Sequence, residues 1–268
     1  MELLEVTDLS ISFGGLKAVQ NVSFSVPKGK IVSVIGPNGA GKTTIFNMLT
    51  GFYIPDTGSI RLDGVEMNGK KAYEFIEYGI ARTFQNIRLY GQLSVLENVL
   101  IGYQCRLKQS LWDAIFHTKT LKKTETEVLE RARRALEEIH LLPYEKEMCS
   151  NLPYGKQKVL EIARALMSEP KLLFLDEPAA GLNPQETQEL SSYILELAKK
   201  GFTIVLIEHD LRLVMGISDY VYVIDHGIKI AEGIPSEVQH NPEVITAYIG
   251  KGGERQNVAG NLPAEHIL

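Results

Sequence analysis

The sequence holds only two cysteines in 268 residues, Cys105 and Cys149, and neither stands near a histidine or another cysteine at metal-ligand spacing. That excludes a disulfide-stapled secreted scaffold and a thiolate metal site, and it points to free thiols in a reducing compartment. No apolar run reaches the roughly 18 residues that a membrane-spanning helix needs, and no basic segment followed by an apolar one opens the chain. Neither insertion nor export is expected, so the chain reads as cytoplasmic. Basic residues are in deficit, with 28 Lys and Arg against 33 Asp and Glu and a net charge of −5. Phosphate backbones require clustered cations, so no nucleic acid is expected as a partner. Internal repeats are also lacking.

What is present is a composition of 44% hydrophobic and 23% charged residues, enough for one large core or two lobes. Within it, Gly36-Pro37-Asn38-Gly39-Ala40-Gly41-Lys42-Thr43 fits the phosphate-binding pattern G-x-x-x-x-G-K-[ST], with Thr44 directly after it. The apolar residues 31–35 before it predict a buried strand, and residues 43–49 predict a helix. Glycines let the backbone come close to phosphates, whose charge is favoured by the inward N–H groups and the positive end of the helix. Lys42 is placed to reach the β- and γ-phosphates, and the Thr43 hydroxyl to bind Mg²⁺. Downstream, the apolar residues 172–175 end in Asp176 and Glu177. After a phosphate loop, Asp176 suits the water shell of the metal and Glu177 suits the general base that polarises the attacking water.

Around these motifs the pattern changes along the chain. Residues 3–6, 11–13, 22–26 and 58–63 predict strands, with a turn at 27–30. From about 88 to 168 the period is helical, with Val128, Ala132, Ala135 or Leu136, and Ile139 on one face, and the charges of residues 119–134 forming the solvated side. A helix is expected over 158–168. Asn183, Pro184 and Glu186 spell an N-cap, a proline at the first helical position and an acid three after the cap, with the helix running to Lys200 and stopping at Gly201. A strand over 202–207, a hairpin of 220–224 with 228–232, and a last helix capped by Ser236 complete the pattern. Residues 251–268 hold too few apolar side chains to pack, and a disordered tail is expected.

Between the two nucleotide motifs lies Leu152-Pro153-Tyr154-Gly155-Lys156-Gln157, and beyond them His209 in Ile207-Glu208-His209-Asp210. In this order the motifs resemble the ATP-binding cassette superfamily over nearly the whole chain. The resemblance implies an α/β fold: a P-loop ATPase core of residues 1–87 and 169–250, with an N-terminal antiparallel β subdomain and an inserted α-helical subdomain at about 88–168, making one domain over 1–250. It implies ATP and Mg²⁺ as cofactors, with the signature loop of one cassette capping the ATP held by a second. Leu152 and Gly155 match that loop, whereas Pro153, Tyr154 and Lys156 replace its serine, first glycine and glutamine. Gln85 sits where cassettes keep a glutamine that touches Mg²⁺ and links the core to the helical part. His209 sits at the position that hydrogen-bonds the γ-phosphate, and Phe13 where an aromatic ring stacks on adenine. Ala180-Gly181-Leu182-Asn183 occupies the loop through which cassettes contact each other, and Asn183 equally suits a plain helix cap.

Ala81-Arg82-Thr83-Phe84-Gln85-Asn86, residues 93–99, residues 177–184 and Ile207-Glu208-His209-Asp210 look like the ATP-binding subunit of branched-chain amino acid importers. Urea and amide importers have closely similar subunits and remain the alternative. A cassette ATPase acting on DNA or ribosomes usually carries two cassettes, a coiled-coil insertion or basic arms, and none is found in this sequence; a mere nucleotide sensor has no need of Glu177. The expected role is therefore energy coupling at the cytoplasmic face of the cell membrane. The implied partners are a second cassette, best as a heterodimer because Pro153 is defective as a γ-phosphate donor, two transmembrane permease subunits and, indirectly, an extracytoplasmic solute-binding protein.

Overall fold

A computed structural model describes residues 1–104 and 119–249, leaving aside the side chains of 119–124 and 249. The expectations for Cys105 and for the tail 251–268 lie outside the described residues. Two sheets organise the chain. The first is antiparallel, in the order β2 (Leu16–Pro27), β1 (Glu2–Phe13), β4 (Thr57–Leu62), β5 (Val65–Glu66). The sequence suggests separate strands at 3–6 and 11–13, but β1 is continuous through both. Asp8 at φ 47° and Asn21 at φ 48° accompany irregular pairing of β1 with β2, and such bulges let long strands bend while staying paired.

The second sheet has six strands in the order β10 (Ile228–Gly233), β9 (Tyr220–Asp225), β3 (Ile31–Ile35), β8 (Thr203–Ile207), β7 (Leu172–Asp176), β6 (Ile80–Arg82). All neighbours are parallel except the β9–β10 hairpin. Parallel strands are covered on both faces, and β3, β7 and β8 are accordingly buried at every residue. Their side chains alternate between two cores: Val32, Val34, Phe174, Val205 and Ile207 face the first sheet and α1 (Lys42–Leu49), while Ile31, Ile35, Leu173, Leu175 and Leu206 face the helices on the opposite side. Every strand of the parallel set thus ends at one edge, where β3 delivers the phosphate loop and β7 delivers Asp176.

The segment expected to be helical is preceded by α2 (Ala72–Glu77) and contains α3 (Val95–Ile101), α4 (Lys119–Glu138) and α5 (Tyr154–Leu166). On α4, Ala132, Leu136 and Ile139 beyond its end are buried, and Val128 and Ala135 are half-buried, as the period predicts. Its charged side is more than solvated, since Arg133 pairs with Glu145 at 2.8 Å and Arg131 with Glu169. Helix α5 begins at Tyr154, four residues before the expected start, because Pro153 supplies an extended N-cap from which Gln157 can take the first intrahelical bond.

After β7 come α6 (Pro184–Lys199), α7 (Leu211–Ile217), α8 (Pro235–Gln239) and α9 (Pro242–Ile249). Asn183 caps α6 in a capping box with Glu186, as expected. Ser236 caps nothing: Pro235 takes the first helical position, as its fixed φ favours, so the cap falls on Ile234 and the single expected helix becomes two. No helix among the described residues is long and apolar enough to cross a membrane.

At the end of α3, Gly102 lies so close to α5 that a Cβ would stand 2.0 Å from the Arg164 carbonyl oxygen. Gly216, inside α7, has nothing within 4 Å of the same position. Gly102→Ala should therefore cost about 1–3 kcal/mol through forced separation of α3 and α5. Gly216→Ala should be neutral or gain up to about 1 kcal/mol, with urea unfolding midpoints deciding both.

Candidate functional site: a phosphate loop facing two strand-end acids

The loop between β3 and α1 is held from outside. The Ala40 carbonyl accepts from Gly227 N at 2.9 Å, and Gly227 O accepts from Gln20 N at 2.8 Å, so the β9–β10 turn ties the loop to the first sheet. Gly39 at φ 80° and Gly41 at φ 102° adopt left-handed conformations that side chains resist. Gly36, Lys42 and Ala40 are buried, whereas Asn38, Gly39 and Thr43 are exposed and Pro37 and Thr44 are intermediate. Lys42 Nζ turns back across the loop to donate to the carbonyls of Gly36 at 2.7 Å and Pro37 at 2.9 Å. Burial lowers the Lys42 pKa, while Glu177 and Asp176 oppose that shift. The ammonium group is thus poised between the loop and the acids.

At the end of β7, Asp176 is buried and its Oδ2 accepts from Arg82 Nη2 at 2.7 Å. Arg82, on β6, also donates to Asn47 Oδ1 at 2.8 Å and Thr50 Oγ1 at 3.0 Å, both from α1 and its cap. Glu177 follows in a left-handed conformation at φ 45°, its N–H donating to Ile207 O at 2.9 Å. Its Oε2 accepts from Gln85 Nε2 at 2.8 Å and stands 3.7 Å from His209 Nδ1. Lys42, Gln85, the neighbours Asp176 and Glu177, and His209 therefore gather from four separate stretches of chain.

The other expected residues lie elsewhere. Phe13 is exposed at the tip of β1, its ring edge-on to Tyr53 with centroids 5.2 Å apart. Leu152 is buried ahead of α5, and Gly155 packs on α6, where an added Cβ would meet Glu186 Oε1 at 2.5 Å. A cleft of 730 Å³ flanks the outer side of the phosphate loop, between Asn38, His226 and Glu243 of α9.

Several functional-looking residues escaped the sequence reading. Lys158 Nζ donates to the Gln85 carbonyl at 2.8 Å, Glu161 Oε1 accepts from Arg88 N at 3.0 Å, and Arg164 donates to the Arg88 carbonyl at 2.5 Å. These three fasten the stretch after Gln85 to α5. Burial lowers the Lys158 pKa and raises that of Glu161. The available signal was charge on the inner face of an amphipathic helix, at positions 158 and 161 next to Leu160 and Ile162.

Comparison with known proteins places this geometry. The model of the ABC transporter family matches residues 19–180, and that of the branched-chain amino acid ATP-binding cassette transporter matches residues 229–254. The chain belongs to the ABC transporter family, as an ATPase component of a transporter complex. Within that family it groups with the branched-chain amino acid transport ATP-binding proteins. It is 48% identical to LivG of Salmonella typhimurium, 47% to LivG of Escherichia coli K12 and 46% to BraF of Pseudomonas aeruginosa. Each alignment spans 250 residues, 93% of this chain and 98% of the relative. An ATP-binding cassette of an ABC transporter solved in its ADP conformation superposes with a TM-score of 0.82 at 38% identity, covering 94% of this chain and all of that one. A nucleotide-free cassette gives 0.81 at 37%, with the same coverage. The α/β cassette fold expected from the motifs is therefore the fold of this family.

Removing the Arg82 cation would strand a buried carboxylate. Arg82→Met should destabilise the fold by about 3–5 kcal/mol, and adding Asp176→Asn should restore much of that loss. Denaturant unfolding of the two variants is the check, and wild-type stability of Arg82→Met would show that Asp176 does not depend on this partner.

Proposed function

We propose that the chain hydrolyses MgATP between two cassettes to drive uptake of branched-chain amino acids. The observation that carries the catalytic part is the position of Glu177: a carboxylate at a strand end, contacted by Gln85, near His209, and across from Lys42. Lys42 would neutralise β- and γ-phosphate charge, exchanging loop carbonyls for phosphate oxygens. Glu177 would accept a proton from the attacking water, with His209 beside it to hydrogen-bond the γ-phosphate. Phe13 would offer its exposed ring to adenine.

The donor set also suits Mg²⁺. No cluster of three or more His, Cys, Asp or Glu forms an all-protein metal cage among the described residues. Mg²⁺ typically takes few protein oxygens and completes its shell with water and phosphate. Thr43 supplies a hydroxyl, Asp176 retains Oδ1 with Oδ2 on Arg82, and Gln85 directs its amide N–H to Glu177, leaving its carbonyl oxygen for a cation. Bound there, Mg²⁺ would offset the negative charge of the phosphates.

A second cassette fits the state of α5. Its N-cap is Pro153, which has neither hydroxyl nor N–H, yet the first-turn N–H groups of α5 remain available to an anion from across an interface. We read Pro153 as favouring a heterodimer in which a partner's signature completes the site of Lys42, Glu177 and His209. Permease subunits would find a groove of 560 Å³ where Phe52, Ile76, Phe84 and Tyr90 expose apolar surface beside Arg88 and Arg164, next to Gln85. That arrangement suits a short amphipathic segment and would place the chain at the cytoplasmic face of the membrane. The inserted stretch 88–168 would act as a separate lobe.

Two experiments test this reading. Glu177→Gln should keep ATP affinity while steady-state hydrolysis falls about 10²–10⁴-fold, and a wild-type rate would remove Glu177 from the role of base. For the substrate, the complex reconstituted in vesicles should take up leucine, isoleucine or valine in preference to urea or short amides; Pro153→Ser should speed hydrolysis by the isolated chain more than by the complex. Preferential urea uptake would reassign the solute, and an isolated chain already as fast as the complex and unmoved by Pro153→Ser would refute the heterodimer.

A further inference from the structure

Glu208 is buried to 1% exposure beside the site, with no role in the mechanism above. Its Oε1 accepts from Ala179 N at 2.9 Å, two residues past Glu177, and its Oε2 accepts from His209 N at 3.1 Å. One carboxylate therefore grips the backbone of both loops that bear the reacting-centre groups. The same oxygen lies 3.8 Å from His209 Nδ1. Glu177 meanwhile holds a left-handed φ of 45°, a conformation that costs a bulky residue of order 1–3 kcal/mol and persists only where its surroundings over-determine it. Its own N–H bond to Ile207 O holds one side, and the Ala180 N bond to its carbonyl, 3.1 Å, closes the turn. The Ala179 bond to Glu208 adds a second tie, at the far end of that turn, to the chain that carries His209. Burial alone would be unfavourable to such a carboxylate and raises its pKa, a shift resisted by the backbone N–H groups of Ala179, His209 and Asp210.

We infer that Glu208 is a positioning residue for hydrolysis, fixing Glu177 and His209 relative to each other by binding the backbones of both their loops. Ala179 and His209 reach different oxygens of the carboxylate, so in this geometry a side chain with a single acceptor oxygen keeps only one of the two bonds. The inference rests on the proposed roles of Glu177 and His209.

The test uses the full-length chain and its steady-state ATP hydrolysis. Glu208→Ala should lower kcat about 10- to 100-fold with KM for ATP changed less than about threefold, the mark of lost alignment rather than lost binding. Glu208→Gln, which keeps one acceptor, should recover part of the loss. In a Glu177→Gln background, Glu208→Ala should add less than about threefold, because the group it aligns is already disabled. A Glu208→Ala kcat within about twofold of wild type, or a loss that multiplies in full on Glu177→Gln, overturns the inference. Should Glu208→Ala fail to fold, Glu208→Gln decides: kcat down at least about threefold with KM kept supports it, and any other result overturns it. If Glu177→Gln itself hydrolyses at the wild-type rate, the assignment of the base fails and the inference falls with it; an inactive Glu177→Gln beside a fully active Glu208→Ala overturns the inference alone.

Discussion

Four acidic side chains, Asp176, Glu177, Glu161 and Glu208, are collected in or beside the interior at one edge of the parallel sheet, and the site depends on how their charge is balanced. Taking each carboxylate from water is unfavourable by several kcal/mol unless a cation or N–H groups replace the lost hydration. Each acid has its own solution. Asp176 takes Arg82, Glu161 takes the Arg88 N–H with Arg164 nearby, Glu208 takes backbone donors, and Glu177 takes Gln85. The cation facing the phosphate loop, Lys42, is shared electrostatically by Asp176 and Glu177 and bound to loop carbonyls. An arriving triphosphate would bring negative charge to this edge, and Lys42 already stands there to meet it.

The same balance sets how α5 relates to the chemistry. Residues 82–88 touch Asp176 through Arg82 and Glu177 through Gln85, while Lys158, Glu161 and Arg164 of α5 hold the Gln85 and Arg88 backbone. A displacement of α5 must either break three polar contacts or carry the Gln85 backbone with it. With the exposed aromatic groove lying against Arg88, a force applied there has a short route to Glu177.

Much of this was legible in the sequence, for identifiable reasons. The buried strands 31–35 and 172–176 announce themselves as unbroken apolar runs because both their faces are covered, and the Asn183-Pro184-Glu186 cap is a local code that tertiary structure had no cause to override. The convergence of Lys42, Gln85, Glu177 and His209 followed from family order rather than from any local pattern. What stayed hidden were contacts between distant segments. Arg82 and Asp176 are 94 residues apart, Lys158 and Gln85 are 73, and nothing about either charge alone reveals its partner. Strand β1 reads as two pieces because its bulge at Asp8 breaks the alternation, and Ser236 reads as a cap by residue type although Pro235, in taking the first helical position, moves the cap to Ile234.

Gly155 has a consequence beyond the nucleotide contact proposed for it. The carboxylate that a side chain at 155 would strike belongs to Glu186, which at the same time accepts from Asn183 N at 3.0 Å to seal the start of α6. It cannot swing aside without giving up that half of the capping box. The glycine of the proposed signature and the cap of α6 are thus one mechanical joint, so an inactive variant at 155 would be a poor reporter of the proposed interface: its defect would mix a blocked surface with a frayed helix in the same subunit.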